Sequence, residues 1–112
     1  RKERNRAAAR AVAAEARRRG VPLVVGITPY LGEGGGLAPL DPEAGALLAA
    51  LADSGAVVFD VAAALGAAPE PPPALYQDHV HFTEAGHRAV GDALGRLLLR
   101  HLYDPPYSRP ER

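Results

Sequence analysis

A nearly unbroken apolar run occupies residues 21–28, which read Val-Pro-Leu-Val-Val-Gly-Ile-Thr, and Pro29 ends it. No polar residue alternates with the apolar ones, a pattern that is typical of a strand covered on both faces. A second run of this type, Ala-Val-Val-Phe-Asp, occupies residues 56–60 and ends on an acid. The two runs therefore predict two buried strands.

Helical patterns lie before and between these strands. Residues 3–19 are rich in Ala and Arg, both strong helix formers, and Gly20 is a typical stop after a helix. Asp41 and Pro42 form a good helix start, because Asp caps free N–H groups and Pro fits the first turn. Residues 54–55, Ser-Gly, break this second helix directly before the second strand.

The rest of the chain predicts a loop, one more long helix and a tail. A short helical piece fits residues 61–65, whereas residues 67–75 contain four prolines and are predicted to be loop. Thr83 can cap a last helix, whose apolar stripe consists of Ala89, Val90, Ala93, Leu94, Leu97 and Leu98. The prolines after Asp104 predict a loosely ordered tail.

The order helix, strand, helix, strand, helix indicates an α/β fold, because parallel strands need helical crossovers and these cover both faces of a sheet. Two strands are too few to complete such a sheet. Position 1 is Arg rather than Met, and the chain opens inside a helical pattern. We therefore expect residues 1–103 to be the C-terminal part of a single larger domain with further strands upstream, and residues 104–112 to be its tail.

Composition excludes several classes of protein. The absence of cysteine excludes a disulfide framework, a cysteine nucleophile and a zinc–thiolate site. No apolar run approaches the roughly 18 residues of a membrane span, so we expect none. No signal peptide is visible, which leaves the compartment open, and nothing in the sequence indicates the oligomeric state.

The charge is balanced overall but unevenly distributed. The chain has 13 basic and 13 acidic residues, yet residues 1–20 hold eight basic and only two acidic ones. We interpret this stretch as a solvated helix face with Arg17, Arg18 and Arg19 at the negative end of the helix dipole. No aromatic residue lies among these arginines to stack on bases, so we expect no nucleic-acid partner.

The chemically informative segment is residues 76–87, which read Tyr-Gln-Asp-His-Val-His-Phe-Thr-Glu-Ala-Gly-His between the last strand and the last helix. If the loop curls into the helix, the Asp78 carboxylate can accept a hydrogen bond from one His81 nitrogen and leave the other free to take a proton. Histidine suits this role because its side chain ordinarily titrates near pH 6.5, and a buried carboxylate stabilises the imidazolium. The plainer alternative is a capping Asp near a surface His.

The pattern Asp-x-Val-His-Phe-Thr-x-x-Gly-His at the start of a final helix resembles the C-terminal block of the SGNH (GDSL-type) hydrolases, and the order of elements over residues 5–102 fits that family. The resemblance implies a three-layer, flavodoxin-like α/β/α fold with a parallel sheet. It implies hydrolysis of a small-molecule, lipid or carbohydrate ester without a cofactor, with His81 as general base and Asp78 as its orienting partner. Many members of the family are exported.

Two blocks of that family are missing from the chain. The family's nucleophile lies in a Gly-Asp-Ser block, and its oxyanion donors include the asparagine of a Gly-x-Asn block. The only asparagine here, Asn5, lies in a helical stretch, while Ser54 follows a helix and precedes a strand, which indicates a turn residue. We therefore expect the nucleophile and oxyanion donors to lie upstream, outside this chain, and these 112 residues alone to be inactive.

A metal-dependent enzyme is a second interpretation of the same segment. His79 and His81 would point to one side if residues 78–82 were extended. Together with Glu84 or His87 they could then hold a metal ion, because imidazole and carboxylate groups are common metal ligands. The proline loop before this segment and the helix start after it argue against a long strand here.

The remaining interpretations concern the glycine-rich stretch and a non-catalytic protein. Residues 32–36 could suggest a phosphate cradle, but the Lys-Ser/Thr of a P-loop is absent and Glu33 would repel an anion. A flexible loop is favoured instead, and the family resemblance implies that it lies on the active-site side. Finally, the chain could be a non-catalytic, hydrolase-like interaction module that retains His81.

Overall fold

The computed structural model describes residues 2–103. Its elements are, in chain order, α1 (Lys2–Arg18), β1 (Val24–Val25), α2 (Pro42–Asp53), β2 (Val57–Val58), α3 (Val61–Gly66), α4 (Pro72–Leu75), α5 (Glu84–Leu98) and a π-helical turn (Leu99–Tyr103). The two strands pair in parallel, so the predicted mixed α/β architecture with parallel strands is confirmed. The predicted tail, residues 104–112, lies outside the described residues.

Both strands lie within the predicted runs, but they are shorter and less covered than predicted. Val24 lies opposite Val57, and the Phe59 amide extends the ladder by donating to the Val25 carbonyl oxygen at 2.7 Å. Val58 is 37% exposed, so residues 2–103 cover this strand only in part. Each strand of this narrow sheet also has an edge that no other strand of residues 2–103 pairs with.

Capping side chains fix the starts of three helices. Asp41 accepts from the Ala44 amide at 2.8 Å at the start of α2, and Thr83 caps α5, as the sequence predicts for both. Asp60, two residues after β2, caps α3 by accepting from the Ala63 amide at 3.0 Å. Such caps satisfy N–H groups that have no partner inside the helix, so short polar side chains define these boundaries.

The proline-rich segment contains a helical turn that the sequence does not predict. Pro71 precedes α4, and Pro72 and Pro73 form its first turn. Proline is tolerated there because its missing N–H would have no helical partner and its φ angle suits a helix. The prediction of loop throughout residues 67–75 is therefore wrong for residues 72–75.

The core lies where the end of β2 meets α3, α4 and α5. Leu65 and Leu75 are fully buried, and Phe59, Val61 and Tyr76 pack with them. The apolar stripe of α5 covers this cluster with Val90, Ala93, Leu94 and Leu97. Burying one large apolar side chain is worth about 1.5–3 kcal/mol, so this cluster holds the loop after α4 firmly against α5.

A separate contact joins the two N-terminal helices, because α1 packs on α2. Within residues 2–103, no helix combines the length and the apolar character that crossing a bilayer requires.

Candidate active site

Residues 76–82 form a tight loop between α4 and α5. Its base is closed by Tyr76 and Phe82, which pair as an antiparallel bridge and place their rings edge to face with centroids 5.1 Å apart. Inside this bridge the Gln77 amide donates to the His81 carbonyl oxygen at 2.7 Å. The loop therefore has a fixed, packed base and presents residues 78–81 at its tip.

Asp78 folds the tip of this loop. One carboxylate oxygen, Oδ1, accepts hydrogen bonds from the amides of Val80 at 2.8 Å and His81 at 2.7 Å. This is the local turn that an aspartate favours when its side chain bonds the backbone two and three residues later. The turn explains why Asp78 and His81 are three residues apart, because it brings the His81 ring back to the Asp78 carboxylate.

The His81 ring then bonds to the same carboxylate, as the sequence predicts. His81 Nδ1 lies 2.8 Å from Asp78 Oδ2 and 3.1 Å from Oδ1. An ionised carboxylate only accepts, so Nδ1 carries the ring hydrogen and Nε2 has a free lone pair. No other described residue bonds to this Nε2 atom, which leaves it available to take a proton. Whether His81 and Asp78 are catalytic stays a prediction.

The same contacts hold the carboxylate in its ionised form. The pKa of Asp78 is lowered to about 2, chiefly because the Val80 and His81 amides donate to it and further because the His81 ring does. A fixed negative charge therefore lies beside the ring at neutral pH. Such a charge stabilises the imidazolium that forms when Nε2 accepts a proton.

The Asp78–His81 pair is largely exposed. The side chain of His81 is 72% exposed and that of Asp78 is 55% exposed. Both side chains lie at the tip of the loop, and only its base at Tyr76 and Phe82 is packed. Solvent screens such a pair, so its contribution to folding stability is small.

Two contacts attach this loop to the residues that follow β1, and the sequence gives no indication of either. The buried Tyr76 hydroxyl donates to the Pro29 carbonyl oxygen at 2.5 Å, and burial raises the pKa of this phenol. His79 bonds to Leu31, where its Nδ1 lies 2.9 Å from the carbonyl oxygen. Both contacts join residues nearly 50 positions apart, so no local pattern could have indicated them.

Ser54 is the only serine within residues 2–103, and it lies in the turn predicted for it. Its hydroxyl donates to the Ala50 carbonyl oxygen at 2.9 Å at the end of α2. Arg17 donates to its carbonyl oxygen. Ser54 is therefore engaged in closing a helix and is not presented to His81 as a nucleophile.

The ligand set proposed for a metal does not come together. Within residues 2–103, no three His, Asp or Glu side chains form a cluster that could hold a metal ion. His81 is directed to Asp78 and His79 to Leu31. His87 instead packs its ring edge against the Phe82 ring, with centroids 5.5 Å apart. The extended conformation that the metal interpretation needs is absent because Asp78 curls the loop.

The glycine-rich stretch forms a hairpin that backbone hydrogen bonds close. The Gly32 amide donates to the Gly36 carbonyl oxygen at 2.7 Å, and the Ala38 amide donates to the Tyr30 carbonyl oxygen at 2.8 Å. Gly35 supports the tight turn with a left-handed φ of 89°, which glycine adopts without strain. We call residues 30–38 the Tyr30–Ala38 hairpin.

Comparisons with known proteins gave no significant match among the family models, the curated proteins or the solved structures. A functional proposal for this chain therefore rests on the loop geometry and the sequence pattern.

Proposed function

We propose that this chain forms the C-terminal part of a serine ester hydrolase of the SGNH type, in which His81 is the general base and Asp78 orients it. The observation that carries the proposal is the Asp78–His81 pair, with Nδ1 held at 2.8 Å and Nε2 free. The serine nucleophile and the oxyanion donors come from sequence upstream of Arg1. The open face of the pair is where that part of the protein would lie.

In the proposed mechanism the serine attacks the ester, His81 transfers the proton and Asp78 orients His81. The serine hydroxyl attacks the ester carbonyl carbon while His81 Nε2 accepts the hydroxyl proton. The tetrahedral intermediate then collapses, and His81 returns the proton to the oxygen of the leaving alcohol. Water attacks the acyl-enzyme by the same route and releases the carboxylic acid and the serine. Asp78 accepts from Nδ1 throughout, which keeps Nε2 in position.

The arrangement around the strands supports the proposed three-layer fold. Val24 and Phe59 belong to the core that α5 covers, whereas Val58 shares a cavity with Leu48 of α2. Successive side chains of a strand point to opposite faces, so contacts of this kind are the ones that a sheet with helices on both faces would have. The unpaired strand edges give the upstream strands a place to add.

The test uses the full-length gene product and p-nitrophenyl acetate. His81→Ala is expected to lower kcat/KM by roughly 10³-fold or more, because the serine loses its general base. His101→Ala, which removes an exposed histidine outside the loop, is the control and should leave the rate unchanged. A fluorophosphonate probe should label one serine of the active protein covalently.

Two results would count against the proposal. An unchanged rate in His81→Ala discards the assignment of the base. A full-length protein that neither hydrolyses the ester nor reacts with the probe overturns the hydrolase and favours the non-catalytic module instead.

A further inference from the structure

Two hydrogen bonds join His79 to Leu31. The Leu31 amide donates to the His79 carbonyl oxygen at 2.9 Å, and His79 Nδ1 donates to the Leu31 carbonyl oxygen, also at 2.9 Å. A carbonyl oxygen only accepts, so the His79 ring must carry its hydrogen on Nδ1. His79 thus makes two hydrogen bonds with Leu31, as a residue in a paired strand does. His79 directly follows Asp78 in the chain.

The Tyr30–Ala38 hairpin, to which His79 bonds, is held together by its own contacts. Its own backbone bonds close it, and Leu31 and Leu37 pair across it and pack against the core. The bond from the Tyr76 hydroxyl to Pro29 supplies a second attachment just before the hairpin. Both attachments come from the loop that presents His81.

Tyr30 lies between these two attachment points. Pro29 before it is bonded by Tyr76, and Leu31 after it is bonded by His79. Leu31 packs inward, whereas Tyr30 is 64% exposed. The backbone of a large exposed aromatic residue is therefore fixed on both sides by the loop that carries the candidate base.

We propose that Tyr30 is a substrate-binding residue and that His79 is the positioning residue that fixes its backbone against the loop that carries His81. This inference rests on the proposed ester hydrolysis. An aromatic ring offers a large apolar face that an acyl chain or a sugar ring can pack against. Tyr30 would therefore bind one of the two groups that the scissile bond joins, either the acyl chain or the alcohol.

The experiment combines kinetics with hydrogen exchange in the full-length protein. One substrate series lengthens the acyl chain of a p-nitrophenyl ester, and the other keeps the acetyl group and replaces p-nitrophenol by a sugar. Tyr30→Ala is expected to raise KM about fivefold in one of the two series, with kcat and its pH profile unchanged. The series affected identifies which side of the ester Tyr30 binds.

His79 is tested with two matched variants. His79→Ala is expected to raise KM in the same series and to make peptide 29–38 exchange its amide hydrogens roughly two- to tenfold faster, because one hydrogen bond is lost. His79→Asn keeps an N–H group near the Nδ1 position and should restore both values. A purely structural role would not shift KM in one series alone.

Each result decides a separate point. Unchanged KM in both series for Tyr30→Ala overturns the substrate-binding role. Unchanged exchange in His79→Ala, or no rescue by His79→Asn, overturns the positioning role. A full-length protein without esterase activity overturns the proposed function and the role of Tyr30 with it. In that case faster exchange in His79→Ala would still establish that His79 holds the hairpin.

Discussion

Asp78 uses one carboxylate for two tasks. Its Oδ1 atom accepts from the backbone amides of Val80 and His81 and so shapes the loop. Its Oδ2 atom lies 2.8 Å from His81 Nδ1 and orients the ring. The two tasks can be separated by substitution, because an asparagine oxygen can still accept from the amides but carries no charge.

Asp78→Asn is expected to lower esterase activity by less than His81→Ala does, since the loop and its base remain. Its effect on folding should depend on pH. The pKa of Asp78 is about 2 in the folded chain and about 3.9 in an unfolded one, so the unfolded state binds the proton more tightly. The stability that ionised Asp78 contributes is therefore complete only above about pH 5 and is lost as the pH falls towards 2.

Urea unfolding of the natural protein and of Asp78→Asn measures this directly. The difference in their free energies of unfolding should be larger at pH 6 than at pH 3. A difference that stays constant between the two pH values would show that the carboxylate charge does not stabilise the fold.

The sequence predicts the local part of this site and misses the distant part. Asp78 and His81 are three residues apart, so a single turn joins them and the spacing reveals the contact. The contacts of Tyr76 with Pro29 and of His79 with Leu31 depend on how the chain folds back.

The helices and strands show the same contrast. Features that neighbouring residues determine are predicted, and features that distant residues determine are not. The starts of α2 and α5 are predicted well because Asp41 and Thr83 cap them locally. The lengths of the strands are not predicted well, because a strand extends only as far as its neighbour pairs with it. The turn of α4 escapes prediction because prolines usually interrupt helices, and they fit only in the first turn.

The junction between α4 and α5 depends on Gly86. A Cβ atom at this position would lie 2.2 Å from the Leu75 carbonyl oxygen and 3.0 Å from Phe82 Cβ. Gly86→Ala is therefore expected to destabilise the fold by about 1–3 kcal/mol, the usual cost of overpacking. Because Phe82 closes the base of the loop that carries His81, the proposed esterase activity should fall as well.

Gly91→Ala in the same helix is the matched control for this prediction. Nothing lies within 4 Å of a Cβ atom there, so the better helix propensity of alanine should stabilise the protein by up to about 1 kcal/mol. Urea unfolding of both variants distinguishes the effects. If Gly86→Ala were as stable as Gly91→Ala, the close approach of α5 to Leu75 would be wrong.

At the scale of the whole molecule the described chain is broad and thin. Its principal extents are 48 × 41 × 16 Å, and its radius of gyration is 16.0 Å, whereas a compact domain of this length has a radius of about 13 Å. The two-stranded sheet has unpaired edges, and Val21 and Val58 are exposed. These features fit the proposal that upstream strands complete the sheet and bring the nucleophile to His81.

A site divided between this chain and upstream sequence should be inactive in either part alone. The 112-residue chain alone is expected to hydrolyse p-nitrophenyl acetate no faster than buffer, whereas the proposed full-length enzyme should hydrolyse it. The proposed serine nucleophile is missing from the isolated chain, and each missing oxyanion donor raises the barrier by about 2.7–4 kcal/mol. Turnover by the isolated chain that disappears in Ser54→Ala would move the nucleophile to Ser54. Turnover that survives both Ser54→Ala and Ser108→Ala but disappears in His81→Ala would mean that the base activates water directly. Either result would show that the site does not depend on upstream sequence.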